Sequence, residues 1–257
     1  MLRSSFSLSV FVLAVIFLSS CKQSDNTITA TSKAATYYGQ SMPFGGDSIR
    51  SWFKTDVNGT IASIGVSFKQ SAFAALETQP DSMFTMMLPK GINTSSSWGI
   101  DHIEVDWSSK GDPLPSVYKI PHFDVHFFAI DTMTQMGIAG GKDPLTANMS
   151  SNYLPPDYKL DMFSEAGMGV YSYDTTGKEY HALDFDHTLV YGYSLGKMYF
   201  IEPMIAKAYL DYPTNFSADI KQPQAFKYPG SYPTKYYIRY DSNINEFQIS
   251  IDNFVTH

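Results

Sequence analysis

Cysteine is almost absent from this chain of 257 residues, which has only Cys21. That excludes an internal disulfide framework and any Cys-rich zinc or iron–sulfur site. Basic residues are also scarce. There are 18 Lys and Arg against 25 Asp and Glu, giving a formal net charge of −7 and a sequence pI near 5.3. A nucleic-acid binder needs clustered Lys and Arg to neutralise phosphates, so no nucleic-acid partner is expected. Charged residues make up only 17% and hydrophobic ones 44%, which excludes a disordered or low-complexity chain. Internal repeats at solenoid or propeller periods are missing. So are a G-x-S-x-G elbow, an H-E-x-x-H helix and an EF-hand loop.

Long apolar runs are missing too, except at the N-terminus. Arg3 is the only charge in the first 20 residues, and residues 6–18, FSLSVFVLAVIFL, are apolar. This run is short for a membrane span and right for the core of a secretory signal. It ends in Leu18-Ser19-Ser20-Cys21, which resembles a bacterial lipobox. The resemblance implies cleavage before Cys21 and lipid attachment to its thiol. The competing reading is a plain membrane anchor with an incidental Cys. Lys22 follows, and by analogy with enterobacterial sorting a residue other than Asp there favours the outer membrane. Cleavage removes only Arg3 among charges, leaving 17 − 25 = −8. The expected layout is a signal peptide over 1–20, a lipidated Cys and flexible tether over 21–44, and a single domain over 45–257. Residues 22–36 are small and polar, as a tether requires.

Fourteen Pro and 17 Gly cut the rest into short elements. Several alternate with period two, as half-buried strands do. Residues 60–68 place Ala62, Ile64, Val66 and Phe68 on one face. Residues 100–107 set Ile103, Val105 and Trp107 against His102, Glu104 and Asp106. Hairpins are expected over 188–204, turning at Leu195-Gly196, and at the C-terminus, turning near Ser242-Asn243. Short helices are expected over 70–78, 131–138 and 204–210. The fold class is therefore mainly β, a single antiparallel barrel or sandwich-like domain with a few short helices.

Residues 121–128, PHFDVHFF, carry the chemistry. On a strand, Phe123, Val125 and Phe127 share one face, and His122, Asp124 and His126 share the other. Ligand positions at i and i+2 are about 6.6 Å apart, so two neighbours can converge on one ion while all three need a bulge. Further ligands would come from Glu202, His181, His187 or Asp186. Three readings fit the row: a hydrogen-bonded polar network or passive ligand wall, a metal site, and metal-free acid–base catalysis. Weaker signals are the glycines of 137–144, read as a plain loop, and Asp184, Asp186 and His187, read as a strand-entry turn. The 18 Tyr, with Tyr236, Tyr237 and Tyr240 close together, can stack sugars or simply reflect sheet composition.

PHFDVHFF resembles the PHFDFHFY core of a family of exported bacterial envelope domains of unknown function. The family's prototype is a thermophile protein controlled by an extracytoplasmic-function sigma factor and its anti-sigma partner. Other motifs resemble it in order: Val105-Asp106-Trp107, Tyr118 before the core, Leu154-Pro155-Pro156 with Tyr158, Met168-Gly169-Val170, YGYSLGKMYFIEPMI at 191–205, and YPTKYYIRYD at 232–241. The resemblance covers about residues 45–254. It implies one β-rich exported domain and a stress-response context, and it supplies no reaction. Where family members carry His after the VDW and MGV motifs, this chain has Ser108–Asp112 and Tyr171. Asp112 and Tyr171 are the substitutes at hand, though Tyr is a poor ligand for most divalent ions.

The expectation is a lipid-anchored protein of the bacterial cell envelope, at the outer membrane, binding a small molecule or ion in a polar pocket. His122, Asp124 and His126 line it, with Glu202 near the rim and Tyr171 beside it. The alternative is a metal-dependent hydrolase or isomerase. There His122, His126 and Glu202 hold a divalent metal ion and Asp124 acts as orienter or base. A carbohydrate-binding module rests on the aromatics alone. Homo-oligomers through free sheet edges remain open.

Overall fold

A computed structural model describes residues 34–76, 78–89, 99–112 and 115–257. The signal, Cys21 and the first part of the tether lie outside the described residues. Among the described residues, fourteen strands form two antiparallel sheets packed as a sandwich, so of the two expected architectures the sandwich is the one adopted and no barrel closes.

The first sheet is made from the two ends of the chain. Its strands are β1 (Ala35–Tyr38), β2 (Met42–Phe44), β3 (Asp47–Thr55), β4 (Ile61–Lys69), β12 (Asn215–Asp219), β13 (Ser231–Asp241) and β14 (Glu246–Thr256). They run in the order β1-β3-β4-β14-β13-β12, with β2 also on β3. The expected tether is therefore corrected. Its last ten residues include β1 and β2, and Phe44 is buried in the core, because paired backbone and an aromatic anchor hold this stretch down.

The second sheet is the middle of the chain. Its strands are β5 (Ser82–Met87), β6 (His102–Ser108), β7 (His122–Phe128), β8 (Tyr158–Glu165), β9 (Gly169–Asp174), β10 (His187–Ser194) and β11 (Lys197–Ala206). The order is β5-β6-β7-β11-β10-β9-β8. The expected hairpin is β10–β11, and Leu195 and Gly196 both adopt positive φ at its turn. The expected helix over 204–210 forms only in its second half. Met204–Ala206 finish β11, and only Lys207–Leu210 form a helical turn, α4. Of the earlier helices, α1 (Phe73–Leu76) extends a 3-10 turn and α2 (Thr132–Met136) is capped by Asp131. A further turn, α3, spans Pro144–Ala147.

The sheets meet through large apolar side chains. Phe123 of β7 lies 4.8 Å from the Trp107 ring, 5.9 Å from Phe68, 5.7 Å from Phe73 and 6.0 Å from Phe44. Val105, Val125, Phe127, Ile201 and Ile205 join it from the second sheet, and Ile64, Val66, Phe247 and Ile249 from the first. Burying each such side chain contributes roughly 1.5–3 kcal/mol. Because strand side chains alternate, this core commits the opposite set, including His122, Asp124 and His126, to the outer face of the second sheet.

Candidate functional site: a carboxylate–histidine cluster on the outer face

The register of β6 on β7 assembles the cluster. Glu104 lies opposite His126, Asp106 opposite Asp124, and Ser108 opposite His122. Glu202 arrives from β11, on the other side of β7. That ladder pairs Ile201 with Phe127 and resumes at Met204 with Asp124. Pro203, with no N–H to donate, sits in the interval. Asp112 arrives on the β6–β7 loop. Gly111 has φ +71°, and a Cβ there would lie 2.2 Å from the Tyr118 carbonyl oxygen and 2.3 Å from the Ile120 nitrogen. Only glycine lets the loop fold so tightly back on itself and deliver Asp112 to His122.

The outer face is nonetheless roofed. Tyr118, Phe185, Val190, Met204 and Ala206 form one apolar island, and Phe128, Met168 and Phe200 another. Phe185 meets the His122 ring edge-on at 5.8 Å, and Phe200 meets His126 at 4.9 Å. Phe200 can lie there because Gly192, its partner on β10, leaves the space open. A Cβ on Gly192 would come within 2.0 Å of the Phe200 ring. As a result His122 is 0% exposed, His126 1%, Glu202 2% and Asp124 6%.

Burial this deep normally requires each polar atom to have a partner. Around the cluster's edge this holds. Thr85 Oγ1 donates to Glu104 Oε2 at 3.0 Å, and Gln135 Nε2 donates to Glu104 Oε1 at 3.1 Å. His102 Nε2 donates to Gln135 Oε1 at 2.9 Å. At the centre it fails. Among the described residues, six of the eight buried side-chain N and O atoms without a partner are here: Asp106 Oδ1, His122 Nε2, Asp124 Oδ1, both ring nitrogens of His126, and Glu202 Oε2.

The unpartnered atoms face one another. His122 Nδ1 donates to the Ile120 carbonyl at 2.7 Å, which places the ring proton there and leaves Nε2 as the lone pair in a neutral ring. That Nε2 lies 3.2 Å from Asp124 Oδ1 and 3.6 Å from Asp112 Oδ2. His126 Nδ1 lies 3.7 Å from Asp106 Oδ2, and its Nε2 lies 3.3 Å from Glu202 Oε2. Two groups of atoms have metal-ligand spacing, each within 4.8 Å of the others: Glu104, Asp106 and His126, and Asp112, His122 and Asp124.

Charge is badly unbalanced. Five carboxylates (Glu104, Asp106, Asp112, Asp124 and Glu202) surround two imidazoles. Burial pushes the Asp106 carboxyl up to about 7, against the pull of His126. Burial likewise pushes Glu202 up to about 7. Burial pulls both histidines down, but the carboxylates outweigh it. Asp124 and Asp112 take His122 up to about 11, and Glu202 and Asp106 take His126 up to about 10. The cluster thus calls for positive charge at its centre, as protons or as a cation.

The outcome for the expected residues is mixed. His122, Asp124, His126 and Glu202 are brought together, but His122 and His126 belong to different groups. The trio His122, His126 and Glu202 does not converge on one point, because the two imidazoles sit two residues either side of Asp124 and face different carboxylates. Glu202 is not at a rim. It lies at the buried centre because β11 continues through Pro203 to Ala206. Tyr171 packs against Phe200 at 5.6 Å and Tyr173 at 6.1 Å, within the roof, and belongs to neither ligand group. Of the two residues standing where the resembled motifs carry histidine, only Asp112 joins a group with metal-ligand spacing. His181 is exposed, Asp186 pairs with Lys178 at 2.5 Å, and His187 packs on Phe216 at 4.0 Å. The suspected sugar platform does not form as a row. Tyr236 is buried in the core, whereas Tyr237 lies under Arg239 at 3.5 Å.

Glu104 and Asp106 escaped the sequence reading of the site, although the alternation of His102, Glu104 and Asp106 was plain. The missing information was the register that lays them against β7. Comparison of the chain with protein-family models, curated proteins and solved structures finds no match, so its chemistry is read from these side chains.

Proposed function

We propose that this is a divalent-metal-binding protein of the bacterial cell envelope, tethered by lipid on Cys21, with an ion held by Glu104, Asp106 and His126. The observation that carries the reading is the concentration of buried, unpartnered ligand atoms in one cluster. Each such atom costs about 1–3 kcal/mol when left unsatisfied, so those on Asp106 and His126 need a shared partner. A cation supplies it and offsets the carboxylate charge.

The surrounding groups suit this role. With an ion on His126 Nδ1, the ring proton would sit on Nε2, and the Glu202 carboxylate, 3.3 Å away, is the group placed to take it up. This is the carboxylate–histidine–metal arrangement that orients a ligating imidazole. Thr85 and Gln135 steady Glu104 in the same way. Carboxylates with one imidazole and no thiolate favour Mn²⁺, Fe²⁺ or Zn²⁺ over soft ions. The Asp106 side chain is 18% exposed and His126 only 2%. That seclusion suits a held ion better than a hydrolytic one, which keeps an open position.

The test is metal content per chain by elemental mass spectrometry, on full-length protein purified without chelator or tag metal. One or more ions per wild-type chain, reduced in a His126→Ala variant, supports the reading. A folded wild type that takes up no Mn²⁺, Fe²⁺ or Zn²⁺ on supplementation sinks it.

A further inference from the structure

We propose a second, solvent-facing ion site formed by Asp112, His122 and Asp124, beside the first and sharing no ligand with it. It extends the metal-binding reading, yet uses its own residues, so either site can fail alone.

Three observations converge on it. The first is tautomeric. The bond from Nδ1 to the Ile120 carbonyl spends the one proton of a neutral imidazole, so Nε2 presents a lone pair. Backbone carbonyls fix ligating histidines in just this way. The second is what that lone pair faces. Two carboxylate oxygens stand 3.2 and 3.6 Å away, and lone pairs at these distances repel unless a cation lies among them. The competing arrangement, an imidazolium donating from Nε2, would satisfy that nitrogen and Asp124 Oδ1. Both atoms instead remain without a hydrogen-bond partner, and Asp112 Oδ2, at 3.6 Å, is beyond hydrogen-bond reach of that nitrogen. The third is loop design. Gly111 permits the tight fold that carries Asp112 over the sheet, and Asp112 backbone N–H is tied to the Tyr118 carbonyl at 3.1 Å. A loop so constrained presents its carboxylate at a set position.

The site differs from its neighbour in access. The Asp112 side chain is 39% exposed, whereas His122 is sealed under Phe185. Three protein ligands leave coordination positions on the open side, where water or an anionic ligand completes the shell. Two carboxylates and one imidazole suit Mn²⁺, Fe²⁺ or Zn²⁺. Ser108 Oγ donates to Asp124 Oδ2 at 3.5 Å and holds that carboxylate from behind. Asp106 and Asp124 are cross-strand partners, so the two ions are neighbours across β6 and β7 and each weakens the other's binding through charge.

The test is Zn²⁺ titration of chelator-stripped full-length protein by calorimetry, with bound metal counted afterwards. Wild type is compared with Asp112→Asn, His122→Ala and His126→Ala. Asp112→Asn alters a half-exposed side chain and leaves the fold intact even if His122→Ala does not. The expected result is two ions per wild-type chain and one in Asp112→Asn, with that site weakened at least 100-fold and the His126 site retained. One ion in wild type, lost only in His126→Ala, overturns the second site and leaves the first standing. Two ions undisturbed by both Asp112→Asn and His122→Ala overturns it as well. No ion in folded wild type overturns both sites together.

Discussion

The two faces of β7 are buried to the same degree and satisfied to opposite degrees. Phe123, Val125 and Phe127 are 0% exposed on the inner face. His122, Asp124 and His126 are 0%, 6% and 1% exposed on the outer face. On the inner face every carbon finds ring and methyl neighbours, and nothing further is needed. On the outer face the side chains reach one another at 3.2–3.7 Å and still leave lone pairs without partners. Burial is therefore the stabilising event on one face and a debt on the other. A fold that keeps such a debt at one spot has a binding site there, or a network that protons complete.

The largest test of this contrast is on the inner face. Phe123→Ala opens a cavity where Trp107, Phe44, Phe68 and Phe73 meet, and should cost about 3–5 kcal/mol in denaturant unfolding. Metal bound per folded chain should not change. A cost below 1 kcal/mol would mean that the inner face is not the stabilising one.

A smaller effect is expected behind the outer face. Glu202→Gln keeps an acceptor for His126 but removes the charge, and should weaken the first ion by about 10–100-fold with the fold unchanged. Competition with a chelating dye reads this directly. Unchanged affinity would remove Glu202 from the orienting role and weaken the case for His126 as a ligand.

The smallest effect concerns a third kind of buried histidine. His187 lies against Phe216 at 4.0 Å and Tyr209 at 4.9 Å, and burial holds its pKa below the usual value. His122 and His126, among carboxylates, are pushed the other way. The sign for His187 follows from linkage. Below about pH 6.5 the unfolded chain takes up a proton that the folded ring resists, so stability falls with acid until the folded ring is protonated too. A His187→Phe variant should lose that part of the acid-side slope in unfolding experiments run from pH 7 to 5. Identical slopes in the two proteins would show that the ring is not held neutral by its apolar neighbours.

Much of this arrangement was legible in the chain. Alternation over 102–108 and 122–128 sorts each strand into an apolar and a polar face, because side-chain direction has period two. The turn at Leu195-Gly196 and the apolar residues beside it mark the β10–β11 hairpin. The grouping of the polar side chains was not legible. His122 and His126 share a strand and a face, yet they look to different carboxylates. Glu202 was expected near a rim, whereas β11 passes Pro203, pauses its ladder to β7 there and runs on. Residues 35–44 looked like tether because their few large side chains find partners only once β3 is in place.

The sequence by itself determined the mainly β class, the two faces of each strand, and the placing of a His-Asp-His row opposite an aromatic one. These are local consequences of backbone geometry. The tertiary structure alone decided what that row would meet. Register set Glu104 and Asp106 against it, a glycine-bent loop brought Asp112, and the path of β11 brought Glu202. Pairing joins residues some 20 to 80 positions apart, and a slip of one residue would have turned the carboxylates of β6 and β11 to the opposite face.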